Sequence, residues 1–292
     1  EEPALFYVEG MMSRIQNEAT LTLADGTVVS LDSAANGLSL QQQTAEVMIA
    51  SSQIKYQQAS HKTQQTEYNT LSTNTDRKYD IVLEDGTHVY LNASSRLTYP
   101  LVFPADKRVV RLEGEAYFEV ESDKKHPFIV KTKELTVEAT GTAFNVNAYT
   151  SDNVTAVTLV KGKVAVTLDK KKTISLSPGE KIDYNLATSL YNVNKTNTYK
   201  WCSWKDGVLI FRDDPLEYVF KRLGQTYNVE FILKDAELGK YSYKATFEGE
   251  SLNEILRLLE MSAPIQCKEV SNRSNNSEKF EKQRIEVSKT MQ

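Results

Sequence analysis

With 292 residues and 40% apolar content, the chain has enough material for two cores rather than one. A formal net charge of −4 with no dense basic run argues against nucleic-acid binding, and Lys170-Lys171-Lys172 reads as a solvated hairpin tip. No stretch reaches the roughly 18 apolar residues of a spanning helix, Glu1-Glu2-Pro3 is acidic where a secretory signal is basic, and Cys202 and Cys267 match no metal spacing and give no reason to pair. The first residue is not Met, so the expectation is a processed chain or a fragment.

From residue 19 to about 185 the pattern is one of short strands. Ala19–Leu23 and Thr27–Leu31 flank Asp25-Gly26, and Tyr79–Leu83 and Thr87–Leu91 flank Asp85-Gly86. Asp-Gly between alternating apolar runs signals a hairpin, because glycine adopts positive φ without a Cβ penalty. The two segments repeat one another, Leu23-Ala-Asp-Gly-Thr-Val-Val-Ser-Leu31 against Leu83-Glu-Asp-Gly-Thr-His-Val-Tyr-Leu91. A modest hairpin is expected from Val47–Ile49 and Ile54–Tyr56 around Ser51-Ser52, and a linker over Asn69–Asp76. Further strands are predicted at Arg108–Leu112, Glu115–Glu121, Pro127–Thr132, Leu135–Thr140, Phe144–Tyr149, Val154–Val160, Lys163–Leu168 and Thr173–Leu176. Many short strands with regular turns specify a sandwich, barrel or β-roll, and the pattern alone does not choose.

Near Tyr199 the character changes. Val208–Phe211 reads as a strand, Asp214 as a helix cap, Pro215 as the first helical residue, and Leu216, Val219, Phe220 and Leu223 as one apolar helical face. After a strand at Asn228–Leu233 the unit recurs: Ser242–Phe247, a capping box at Ser251-Leu-Asn-Glu254, an apolar stripe of Leu252, Ile255, Leu256 and Leu259, and a strand at Ile265–Val270. Arg284–Ser288 makes a last strand. The fold class is therefore mainly β, with a large all-β lobe and a small α+β lobe of two β-α-β units on one sheet. The division expected is 1–75 as a leading β segment and linker, 76–198 as the all-β domain and 199–292 as the small domain.

Catalytic signatures are weak. His61, His88 and His126 lie at no metal-ligand spacing, His88 and His126 read as surface or edge residues, and no nucleophile elbow, phosphate loop or dinucleotide fingerprint occurs. Gly141 reads as a tight turn. Glu115, Glu119 and Glu121, with Glu113 nearby, could supply a carboxylate pair for glycoside hydrolysis, but alternation with Ala116, Phe118 and Val120 explains them as the polar face of one strand. Trp201, Trp204 and Tyr199 could stack on sugar, which makes a secreted carbohydrate-binding module the rival reading; aromatics more often bury area at a junction.

Six segments in order carry a resemblance. Ile81-Val-Leu-Glu-Asp-Gly-Thr-His-Val-Tyr-Leu-Asn-Ala-Ser-Ser-Arg-Leu-Thr-Tyr-Pro100, Arg111-Leu-Glu-Gly-Glu-Ala-Tyr-Phe-Glu-Val120, Pro127-Phe-Ile-Val130, Gly141-Thr-Ala-Phe-Asn-Val146, Leu159-Val-Lys-Gly-Lys-Val164 and Pro178-Gly-Glu180 resemble the FecR domain of anti-sigma factors. Trp204 through Lys289 is similar to the companion domain of Bacteroidetes-type members, itself like the short signalling domain of secretins and TonB-dependent transporters. The resemblance implies a non-enzymatic periplasmic region of an inner-membrane protein, without cofactor, metal, nucleic-acid or small-molecule ligand. It implies two partners: the signalling domain of an outer-membrane TonB-dependent transporter, and an extracytoplasmic-function sigma factor held by a cytoplasmic domain absent from these residues. Edge strands of the small lobe are the expected docking elements, Tyr241–Phe247 and Arg284–Ser288, with Tyr241, Tyr243, Ala245, Thr246, Phe247, Ile285 and Val287 as candidate contacts.

Overall fold

The computed structural model describes residues 19–31, 37–42, 45–50, 53–58, 66–74, 77–169, 172–270 and 283–290; the expected turns at Ser51-Ser52 and Lys170-Lys171, and His61, lie outside them. Two compact units divide the chain, Glu1–Cys202 and Ser203–Gln292, each with its own core.

In the first unit β1 (Thr20–Thr22) and β2 (Val28–Ser30) form the first hairpin, and β3 (Leu38–Gln41), β4 (Ala45–Ala50) and β5 (Gln53–Gln58) an antiparallel meander. Next come β6 (Tyr68–Ser72), the second hairpin of β7 (Tyr79–Val82) and β8 (His88–Leu91), then β9 (Arg96–Pro100) and β10 (Arg108–Glu119). β11 (Phe128–Lys131), β12 (Leu135–Ala139), β13 (Ala143–Ala148), β14 (Val154–Lys161), β15 (Val164–Leu168), β16 (Lys172–Leu176), β17 (Glu180–Asn185) and β18 (Tyr191–Lys195) lead to the one-turn helix α1 (Thr198–Cys202).

Hydrogen bonding sorts these strands into two sheets. One runs β2-β1-β6-β9-β10-β11-β12-β15-β16. The other runs β3-β4-β5-β7-β8-β10-β13-β14-β17-β18. β10 belongs to both: Arg108–Glu113 pairs in the first sheet and Gly114–Glu119 in the second. The expected pair of strands, Arg108–Leu112 and Glu115–Glu121, is thus one strand bent at a corner. Gly114 makes the corner, with φ +96°; a Cβ there would lie 2.3 Å from the Ser95 Oγ and 2.7 Å from the Ser95 Cα. The two sheets enclose a single core that draws on both, from Leu21, Leu71 and Val110 in one to Ile81, Phe118 and Phe144 in the other. Of the open alternatives, the arrangement is a sandwich whose sheets share a strand.

Two local readings change. Asn69–Asp76 is not a linker through Ser72, because β6 pairs with both β1 and β9. Buried Asn69 is accommodated by donating to the Tyr56 hydroxyl at 2.9 Å, which itself meets the Tyr99 hydroxyl at 2.7 Å. His88 is not at an edge, since β8 is flanked by β7 and β10.

The small unit contains β19 (Val208–Pro215), α2 (Leu216–Tyr227), β20 (Val229–Leu233), β21 (Ser242–Glu248), α3 (Leu252–Ser262), β22 (Ile265–Val270) and β23 (Gln283–Lys289). These strands do not close one sheet. β19 pairs with β21, while β20, β23 and β22 make a second sheet with β23 in the middle. Each β-α-β unit therefore sends its two strands to different sheets. Leu216, Val219, Phe220 and Leu223 of α2 and Ile255 and Leu259 of α3 share one core with Leu209, Phe211 and Phe247 of the first pair and Ile265 and Val287 of the second sheet.

Asp214 does not cap α2. The ladder shifts register between Phe211 and Asp214, Asp213 takes φ 55°, and the Asp214 carboxylate turns back to accept from the Arg212 N–H at 2.7 Å. Pro215 is left as the N-cap, without a side-chain bond, and α2 begins at Leu216. α3 has the full capping box, Ser251 accepting from the Glu254 N–H and Glu254 accepting from the Ser251 N–H.

Candidate partner-binding site

β21 lies at a sheet edge. It bonds to β19 along one side, and among the described residues no strand lies along the other. Its side chains alternate: Ser242, Lys244, Thr246 and Glu248 are exposed, Tyr243 and Ala245 are half-buried against the core, and Phe247 is buried. Such an edge presents backbone N–H and C=O groups that another strand can use. The last residue of α3 reaches it through a 3.0 Å bond between the Tyr243 and Ser262 hydroxyls. Two apolar side chains of α3 face solvent, Leu258 at 40% and Met261 at 74% exposure, and Tyr241, just before β21, is 42% exposed.

The seven expected contacts separate accordingly. Tyr241 and Thr246 are exposed, and Tyr243 and Ala245 present a backbone edge with half-buried side chains. Phe247 belongs to the core. Ile285 and Val287 are a correction: β23 is flanked by β20 in parallel and β22 antiparallel, so it is no edge, and both side chains are buried. The edges of that sheet are β20 and β22. Leu258 and Met261 were missed by the sequence reading, although the signal was present. They are apolar positions of α3 outside the stripe of Leu252, Ile255, Leu256 and Leu259, so packing does not account for them.

The other candidate sites look different from their sequence reading. Glu115 is not on a solvated face; at 2% exposure it is buried, with one carboxylate oxygen accepting from the Asn145 amide at 2.9 Å and the other from the Asn92 amide at 2.8 Å. Glu119 and Glu121 are exposed. The Glu115 network sits at the β10 corner, where the Glu115 N–H also donates to the Ser95 hydroxyl at 2.9 Å. Trp201 and Trp204 form no exposed stacking platform, because Trp204 is 2% exposed and the Lys181 ammonium lies 3.9 Å from the Trp201 ring centroid. Arg108 ties the second hairpin to β10 with a 2.7 Å bond to Asp85. His126 bonds Asp123 at 2.6 Å and draws that carboxyl down to about 2. The Cys267 thiol is pushed up to about 12 by burial and by Glu260, so it is held as an unreactive thiol. Among the described residues no cluster of three or more metal-ligating side chains occurs, and no helix is long and apolar enough to cross a membrane.

Comparison with known proteins fits this two-unit layout. The family profile described as FecR protein matches residues 69–165, and that described as FecR, C-terminal, matches residues 208–275. Two crystal structures of a protein from Parabacteroides distasonis ATCC 8503, assigned there provisionally as an anti-sigma factor, superpose with TM-score 0.67 at 31% identity. The similarity covers 76% of this chain and 99% of the first structure, and 77% and 100% for the second. The chain belongs to the FecR family of anti-sigma factors. No curated protein matches it at a significant level. In FecR terms, the first profile spans β6 to β15 across both sheets of the sandwich, and the second covers β19 to β22 with both helices. The candidate edge β21 thus falls inside the FecR C-terminal match.

Proposed function

We propose that this chain is the periplasmic signal-receiving region of a transmembrane anti-sigma factor. It binds the signalling domain of an outer-membrane TonB-dependent transporter and relays transport status to an extracytoplasmic-function sigma factor. The reading makes the chain a recognition module without bond chemistry, and in it a membrane helix and a cytoplasmic sigma-binding domain complete the relay.

The observation that carries it is β21, an edge strand preceded by the exposed Tyr241, within the segment that matches the FecR C-terminal profile; α3, bonded to Tyr243 through Ser262, exposes Leu258 and Met261 in the same unit. A small α+β signalling domain presents strands of its own, and strand addition joins two such edges through main-chain bonds, with side chains beside the edge adding selectivity. Leu258→Asp with Met261→Asp places two charges on the exposed side of α3 without touching the core. This variant should lose at least about tenfold in affinity for the transporter signalling domain that the parent binds, with an unchanged melting curve. Thr246→Pro tests the backbone edge directly, folding being checked alongside. Unchanged binding by both folded variants would move the interface to residues 78–185 or to β20 and β22.

A further inference from the structure

The end of the first unit is fastened in an unusual way. β18 ends at Lys195, the Thr196 N–H donates to the Gly179 carbonyl at 2.8 Å, and α1 follows at once. A five-residue helix is far below the length at which a helix holds its own shape in water, so α1 exists only by virtue of what anchors it. Its anchors are Trp201 and the buried Cys202. Two ammonium groups lie over the Trp201 ring, that of Lys181 on β17 at 3.9 Å and that of Lys200 at 4.7 Å from the centroid, and the indole N–H donates to the Thr196 hydroxyl at 2.9 Å. Lys181 is buried and paired with Asp183, so this cation meets the ring largely free of water, where a cation–π contact is strongest. The second unit begins at the next residue but one: the compact units divide between Cys202 and Ser203, and the Ser203 hydroxyl already donates to the Val208 carbonyl at 2.9 Å.

We propose that Thr196–Cys202 is a latched strap. Held down, it is part of the first unit; released by withdrawal of Trp201 from Lys181 and of Cys202 from its buried seat, it becomes tether. Five residues span about 8 Å as helix and about 17 Å when extended, so release lengthens the connection without unfolding either core. Local opening of a short segment at the end of a unit lies toward the low-stability end of a structure. This inference is independent of which partner the small unit binds.

The test uses the whole chain without partner and follows tryptic cleavage of the Lys200–Trp201 bond by mass spectrometry. Trp201→Ala removes one anchor directly. Lys181→Met removes the cation from β17 while leaving the sequence around the cut intact, with an apolar side chain of similar length in its place. Both variants should be cut at Lys200 about tenfold faster than the parent, since cleavage follows the open population, while the thermal unfolding of the sandwich stays within a few degrees. Equal cleavage rates in the parent and both variants would overturn the proposal. So would acceleration that appears only together with loss of the sandwich transition, because the segment would then open only with global unfolding.

Discussion

Glycine at a strand corner and glycine at a solvent turn carry different costs, although both have positive φ here. Gly26 sits in the first hairpin at φ +87° with nothing within 4 Å of a built Cβ, so Gly26→Ala should cost only the left-handed strain, about 1–2 kcal/mol. Gly114→Ala adds a collision with Ser95, whose Oγ and Cα cannot both move, because that hydroxyl accepts from the Glu115 N–H and donates to the Ala93 carbonyl. Its destabilisation should exceed that of Gly26→Ala by at least about 2 kcal/mol in urea unfolding. Charge gives a second expectation at this scale. His126 holds the Asp123 carboxyl at about 2, below its ordinary 3.8. A depressed carboxyl contributes stability above the unfolded value, and that contribution disappears as pH falls from about 4 to about 2. Asp123→Asn should therefore flatten the fall of melting midpoint with pH over that window and leave its shape near neutrality unchanged.

Among the elements, α2 and α3 hold the small unit together in unequal ways. Phe220 of α2 is fully buried and its ring lies 4.8 Å from that of Phe231, so Phe220→Ala should cost about 3–5 kcal/mol through lost burial and a cavity. α3 relies on its capping box, and Ser251→Ala should cost about 1 kcal/mol. Removing the Asp214 side chain will not unseat the start of α2, because it accepts from Arg212 rather than from a helical N–H; its effect belongs to the bulge of β19. These cases also show what local pattern reveals. Helix stripes and the Ser251 box depend on neighbours three or four residues apart, so they were legible. β18 was not, because it is exposed along almost its whole length and its alternation rests on Tyr191 and Val193 alone. β6 was missed for the opposite reason: one of its two buried positions is Asn69, whose amide N–H is taken up by a tyrosine 13 residues away. Gly114 read as a break between strands, when its lack of a Cβ is what lets one strand turn from sheet to sheet.

At the scale of the whole molecule, the division into two cores was legible from the change of periodicity near Tyr199, and it falls at Cys202 and Ser203. The pairing of strands within the small unit was not, because sequence spacing sets which strands exist and long-range register decides which sheet each joins. That distinction reshapes the candidate site. Val287 and Ile285 pass from presumed edge to core, and β21 keeps an open side among the described residues. Reception of a signal through a transporter's signalling domain is checked by calorimetric titration of the whole chain with that domain. The signalling domains of TonB-dependent transporters from the same genome supply the cognate ligands, and that of an unrelated organism's transporter supplies the control. The expected result is a saturable one-to-one complex with a cognate domain, weakened by Leu258→Asp with Met261→Asp. No complex with any cognate domain, or equal binding to the unrelated one, would contradict that mode of reception.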